Sequence, residues 1–144
     1  MTVATEKINS EQELKIQRGI RLAEDDLVIA IQDALDKKQY GNLEESQFRN
    51  LVRVATSTES TEVIKNFIRY QVGRDDKWGR GKGSLAEQII DDIENLINKK
   101  AESIAEQAGL PKKSAKSNEI KMELIRRYLG YGARYLKYKR EGGS

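Results

Sequence analysis

One proline, Pro111, interrupts 144 residues, and no segment shows the strict apolar/polar alternation of a half-buried strand. Apolar residues instead recur at i, i+3, i+4 and i+7, the spacing that places them on one side of an α-helix. Low aromatic content and abundant Glu, Lys, Gln, Leu and Ala favour the same conformation. The expected fold is all-α, a compact bundle of about five helices.

Punctuation divides the chain. The first helix is predicted from about Ser10 to Lys38, opened by a Ser10/Glu13 capping box, with Leu27, Val28, Ile31, Ala34 and Leu35 on its apolar stripe and Gly19 as a potential break. Tyr40-Gly41-Asn42 turns the chain into a second helix, about 44–56, burying Phe48, Leu51, Val52 and Ala55. Ser60 is the expected N-cap of a third helix, with Val63, Ile64, Phe67, Ile68 and Val72 inward and an end near Gly73. A glycine-rich loop, 74–83, precedes a Ser84/Glu87 capping box and a fourth helix that carries Leu85, Ile89, Ile93, Leu96, Ile97 and Ile104 to Gly109-Leu110-Pro111. After a basic linker, 112–117, the fifth helix covers about 118–140 with Leu124, Ile125, Tyr128, Leu129, Gly132, Tyr135 and Leu136 inward. The length suits one helical domain, 1–144, with 1–9 and 141–144 as flexible ends.

Charge is segregated along this scaffold. Residues 1–47 carry six Lys/Arg and ten Asp/Glu, 48–111 carry ten of each, and 112–144 carry ten against three. A polyanion would therefore meet one end of the molecule. Tyr128, Tyr131, Tyr135 and Tyr138 alternate with Arg126, Arg127, Arg134, Lys137, Lys139 and Arg140 in the last helix. Tyr131 and Tyr138 fall outside the apolar stripe and are candidates for contact.

Further bases stand at comparable positions on helices two and three. Arg49 and Arg53 follow Phe48 by one and five residues, as Lys65 and Arg69 follow Ile64, so each pair flanks its stripe and can reach a shared phosphate track. The loop adds Arg74, Lys77, Arg80 and Lys82 beside Trp78, a ring that either stacks on a base or packs against the bundle. It is not a phosphate-binding P-loop, because a preceding strand and the Gly-Lys-Ser/Thr ending are missing.

The chain contains no cysteine and no histidine. Disulfides, thiolate metal sites, Ser-His-Asp and Cys-His catalysis and histidine acid/base chemistry are thereby excluded. Asp91, Asp92 and Glu94, with Asp75 and Asp76 upstream, raise the question of a Mg²⁺ site. Adjacent Asp91 and Asp92 diverge by about 100° on a helix, and a solvated helix face is the expected arrangement. No cofactor and no catalytic activity are expected. The amino terminus has no apolar run of signal-peptide length, so a soluble, cytoplasmic protein without a membrane partner is expected.

The segments LEESQFRNLVRVATSTESTEVIKNFIRYQVGR (43–74), the Trp-containing loop, SLAEQIIDDIENL (84–96) and ELIRRYLGYGARYLKY (123–138) together resemble the small subunit of type III CRISPR effector complexes. The resemblance covers about 43–97 and 120–139. It implies a non-catalytic five-helix bundle serving antiviral defence, with guide RNA, target RNA, other effector subunits and head-to-tail copies of itself as partners. The positions it implies for backbone contact are Arg49, Arg53, Arg69, Arg74, Arg126, Arg127 and Arg134. Residues 44–74 also admit a helix-turn-helix DNA-binding regulator, and the basic last helix admits a protein adaptor for an acidic partner.

Overall fold

The computed structural model describes Ile8–Gly142. Among these residues α1 (Ser10–Lys37), α2 (Glu45–Thr56), α3 (Thr61–Arg74), α4 (Leu85–Asp92), α5 (Asn98–Gln107) and α6 (Ala115–Glu141) account for the architecture, and a π-helical turn (Ile93–Ile97) joins α4 to α5. The fold is all-helical, with five helical rods once α4, the π turn and α5 are taken as one. The flexible ends expected at 1–9 and 141–144 lie outside the described residues for 1–7 and 143–144. Of the remainder, Asn9 is the N-cap of α1 and Glu141 the last residue of α6.

Helix starts are set by local hydrogen bonds. The capping box of α1 falls one residue earlier than predicted: Asn9 Oδ1 accepts from the Gln12 amide at 2.8 Å and Gln12 Oε1 accepts from the Asn9 amide at 3.0 Å. Asn and Gln supply the same acceptors as Ser and Glu, so Ser10 is free to be helical. Ser60 and Ser84 cap α3 and α4 as expected, accepting from the Val63 and Glu87 amides. Ser114 starts α6 at Ala115, three residues before the predicted position, and leaves a shorter basic linker. Gly19 does not break α1, because the missing side chain admits Ile104: a Cβ there would lie 2.9 Å from Ile104 Cγ1.

The π turn has a cause in the sequence. Leu85, Ile89, Ile93, Ile97, Ala101 and Ala105 are buried at intervals of four. On an ideal α-helix each such step drifts about 40° around the axis. A more loosely wound i→i+5 segment takes up part of the drift and keeps the row facing inward.

α6 is the central element, packed by α1, α2 and α5. Tyr128, Leu124, Ile125, Leu129 and Leu136 line its inner side, where α2 comes close at Gly132: a Cβ there would meet Phe48 Cζ at 2.6 Å and Ile31 Cγ1 at 2.8 Å. Trp78 packs inward against Phe48, with ring centroids 5.3 Å apart, and is not a stacking surface for a base. Val63, expected inward, is 47% exposed, and Phe67, Val72 and Tyr135 pack against the core only half-buried, because α3 meets α2, α4 and the π turn along one side and Tyr135 lies at the α1 margin.

The loop after α3 is sewn to the α1–α2 connection. The Gln39 amide donates to Gly83 O at 2.8 Å, the Leu85 amide donates to Gln39 O at 2.9 Å, and Gly41 donates to Lys77 O at 3.1 Å. Gly79 makes this approach possible: its φ of 82° is a left-handed conformation, and a Cβ would lie 2.2 Å from Gln39 O. No helix among the described residues is long and apolar enough to cross a membrane.

Candidate nucleic-acid interface

α2 and α3 diverge around a shallow groove of about 510 Å³ in which no lining side chain is a carboxylate. Arg53 and Asn50 come from α2, and Phe67, Tyr70 and Arg74 come from α3. Their direction follows from helical phase: once Ile64 and Ile68 turn to the core, residues 66, 69, 70 and 74 face outward. Tyr70 is 59% exposed, its ring lies 6.5 Å from that of Phe67, and the Arg74 guanidinium sits 5.9 Å from the Tyr70 centroid. Arg69 is exposed, and no ion pair or side-chain hydrogen bond among the described residues engages it or Arg74. Fixed aromatic rings beside unneutralised guanidinium groups can meet both the bases and the phosphates of an extended strand.

Arg49 and Lys137 extend the positive surface toward α6. Both face Glu45, Arg49 through an ion pair one turn away and Lys137 at 3.8 Å, while Glu141 lies 3.5 Å from Lys137. Pairs this exposed contribute about 0–1 kcal/mol, so a phosphate can compete for either cation. Arg134 is exposed with no partner among the described residues. It borders a second groove, of about 360 Å³, shared with Val28, Tyr131, Tyr135 and Tyr138. In the loop, Lys82 is exposed, Arg80 is held by Asp76 at 2.9 Å, and Lys77 is half-buried.

Three predicted contacts are committed to the fold instead. Lys65 is buried and bonded to Glu62 at 2.8 Å and Glu94 at 2.7 Å, and these carboxylates hold its ammonium above the usual lysine range. It shares no outward track with Arg69, because residue 65 turns inward beside Ile64 and Ile68. Arg126 closes the end of α2 by donating to Ala55 O at 2.9 Å and Thr58 O at 3.0 Å. Arg127 is shared between Glu123 at 2.7 Å and Glu24 at 2.8 Å. Glu24 also accepts from the Tyr131 hydroxyl at 2.6 Å, and that bond, ahead of Arg127, keeps its carboxyl below the usual range.

Sequence reasoning missed the purpose of these pairs. α1 and α6 run parallel at a constant offset, so Glu13 meets Lys116 at 3.6 Å, Glu24 meets Arg127, and Asp36 meets Lys139 at 2.7 Å. The signal was present as matching intervals of eleven and twelve residues in both segments. Asp92 is the other correction: it is not on a solvated face but inside the core, accepting from Tyr128 Oη at 2.6 Å and Gln88 Nε2 at 2.8 Å. Burial pushes its carboxyl above the usual range against the pull of those bonds. Asp91 points outward to Asn95, so the two carboxylates do not share a site.

No family model, curated protein or solved structure matches this chain.

Proposed function

We propose that this chain is a non-enzymatic, RNA-binding structural subunit of a type III CRISPR effector complex, holding guide and target RNA through backbone phosphates. The observation that carries the reading is the carboxylate-free groove between α2 and α3, where Arg53 and Arg74 stand beside exposed Tyr70, with Arg69 exposed on another side of α3. The resemblance of segments 43–74, 84–96 and 123–138 to that family's small subunit supports the choice of complex. Phosphate contacts position a strand without reading its sequence, which suits a subunit that must accept any guide. Leu14, Leu22 and Ile29, each more than half exposed along α1, suit contact with neighbouring subunits or further copies of the chain.

Replacing Arg53, Arg69 and Arg74 jointly by alanine tests it. RNA affinity, measured by fluorescence anisotropy across a salt series, falls steeply with salt for the parent; the triple variant binds more weakly, with a slope lower by about two to three. Lysine replacements retain most of the affinity, since charge is the proposed cause. An unchanged slope in a folded alanine variant rejects the groove as the RNA surface.

A further inference from the structure

The first turn of α6 opens onto a polar groove of about 570 Å³, away from the bases assigned to RNA above. Lys112, Lys113 and Lys121 line it, against Glu102 as the single lining carboxylate. Lys112 reaches Glu106 only at 3.9 Å, and no ion pair among the described residues engages Lys113 or Lys121.

The backbone points donors to the same place. Ser114 Oγ accepts from the Ser117 amide, which leaves the Ala115 and Lys116 amides without an acceptor among the described residues. A helix of 27 residues concentrates positive potential at that turn. Ser117 is only 5% exposed yet lines the groove, and its hydroxyl enters no hydrogen bond among the described residues. The hydroxyl oxygen itself still reaches the groove, where a ligand can bond to it.

Lys121 shows the same deficit. Burial, then the charge of Lys65, pushes its ammonium below the usual lysine range, and Glu102, Glu94 and Glu62 offset this only from a distance. An anion in the groove would neutralise it directly.

We propose that the amino-terminal turn of α6, with Lys113, Lys121 and Ser117, binds a phosphate dianion. Amides of a helix start, ammonium groups and a hydroxyl are donors suited to its oxygens. The site does not rest on the RNA-binding reading, because a free phosphate or the terminal phosphate of a nucleotide carries the same group.

Isothermal titration of the full chain with inorganic phosphate, at ionic strength held constant with chloride, tests the site. Saturable one-site binding is expected, weakened on the order of tenfold in Lys121→Gln and in Lys113→Gln. Ser117→Ala, which leaves every lysine in place, also weakens it, and Lys37→Gln at the far end of α1 leaves it unchanged. Absence of saturation with the parent, or equal affinity in Lys121→Gln and Lys37→Gln with circular dichroism showing both folded, overturns the proposal.

Competition then separates the sources. Displacement by a 5′-phosphorylated trinucleotide more strongly than by AMP assigns the phosphate to a nucleic-acid end, and equal displacement assigns it to a small phosphate ester. A 5′-hydroxyl trinucleotide that displaces as well as the phosphorylated one rejects a dianion site. Because none of these outcomes uses the α2–α3 arginines, failure here and failure of the RNA surface are read separately.

Discussion

Glu24 and Arg127 meet at 2.8 Å, 103 residues apart in sequence, and Asp36 and Lys139 meet at the same separation. With Glu13 and Lys116 they form a ladder that fixes the parallel register of α1 on α6. A shift of one helical turn would break every rung at once, while the apolar side of α1, with Ile16, Ile20, Ala23, Leu27 and Ile31, could settle in more than one position.

Reversing one rung therefore costs more than deleting it. Glu24→Lys places like charges against Arg127 and lowers the unfolding midpoint, whereas Glu24→Lys with Arg127→Glu recovers only part of the loss, because the new carboxylate faces Glu123 and Tyr131 loses its acceptor. The coupling from the double-mutant cycle, read by urea denaturation, is about 0.5–1 kcal/mol for a pair this accessible. Glu24 and Asp36 have native carboxyls below their unfolded values, so the stability they add is present above the unfolded pKa and disappears as pH falls through the native one. Glu24→Gln should accordingly flatten the acid limb of the stability profile.

Asp92 has the opposite sign. Its native carboxyl is raised by burial, so its contribution is most favourable below the unfolded pKa and is lost as pH rises through the native value. Asp92→Asn keeps an acceptor for Tyr128 and, with Gln88 turned, a partner for that side chain as well. At pH 7 the variant should match or exceed the parent in thermal stability, and its advantage should shrink toward pH 4. A large loss at pH 7 would mean that the ionised carboxylate is needed by the core.

Two glycines of α6 separate packing from propensity. Gly130 has open space where a Cβ would go, and Gly130→Ala should stabilise the chain by about 0.5–1 kcal/mol. Gly132→Ala gains the same helix propensity but drives its methyl into Phe48 and Ile31, and overpacking of that kind costs about 1–3 kcal/mol. Opposite shifts in the urea midpoint are expected from chemically identical substitutions two residues apart.

Helix count, the caps at Ser60 and Ser84 and most core residues were legible because apolar period and capping chemistry are local. The π turn was not, since it shows only when the four-residue burial interval is followed across three turns. Charge was the least legible property. A list of bases does not distinguish Arg126, spent on carbonyls at the end of α2, from Arg134, which faces solvent eight residues later on the same helix. That distinction depends on which helix lies opposite, and therefore on the tertiary register.

The bonds joining Gln39 to Gly83 and Leu85, and Gly41 to Lys77, make two chain reversals into one structural unit. Neither reversal can loosen alone without stranding the other's amides and carbonyls. Breathing at this end of the bundle is thus an all-or-none event, and amide exchange at Gln39, Gly41 and Leu85 should proceed with a common opening free energy although the residues belong to different connections.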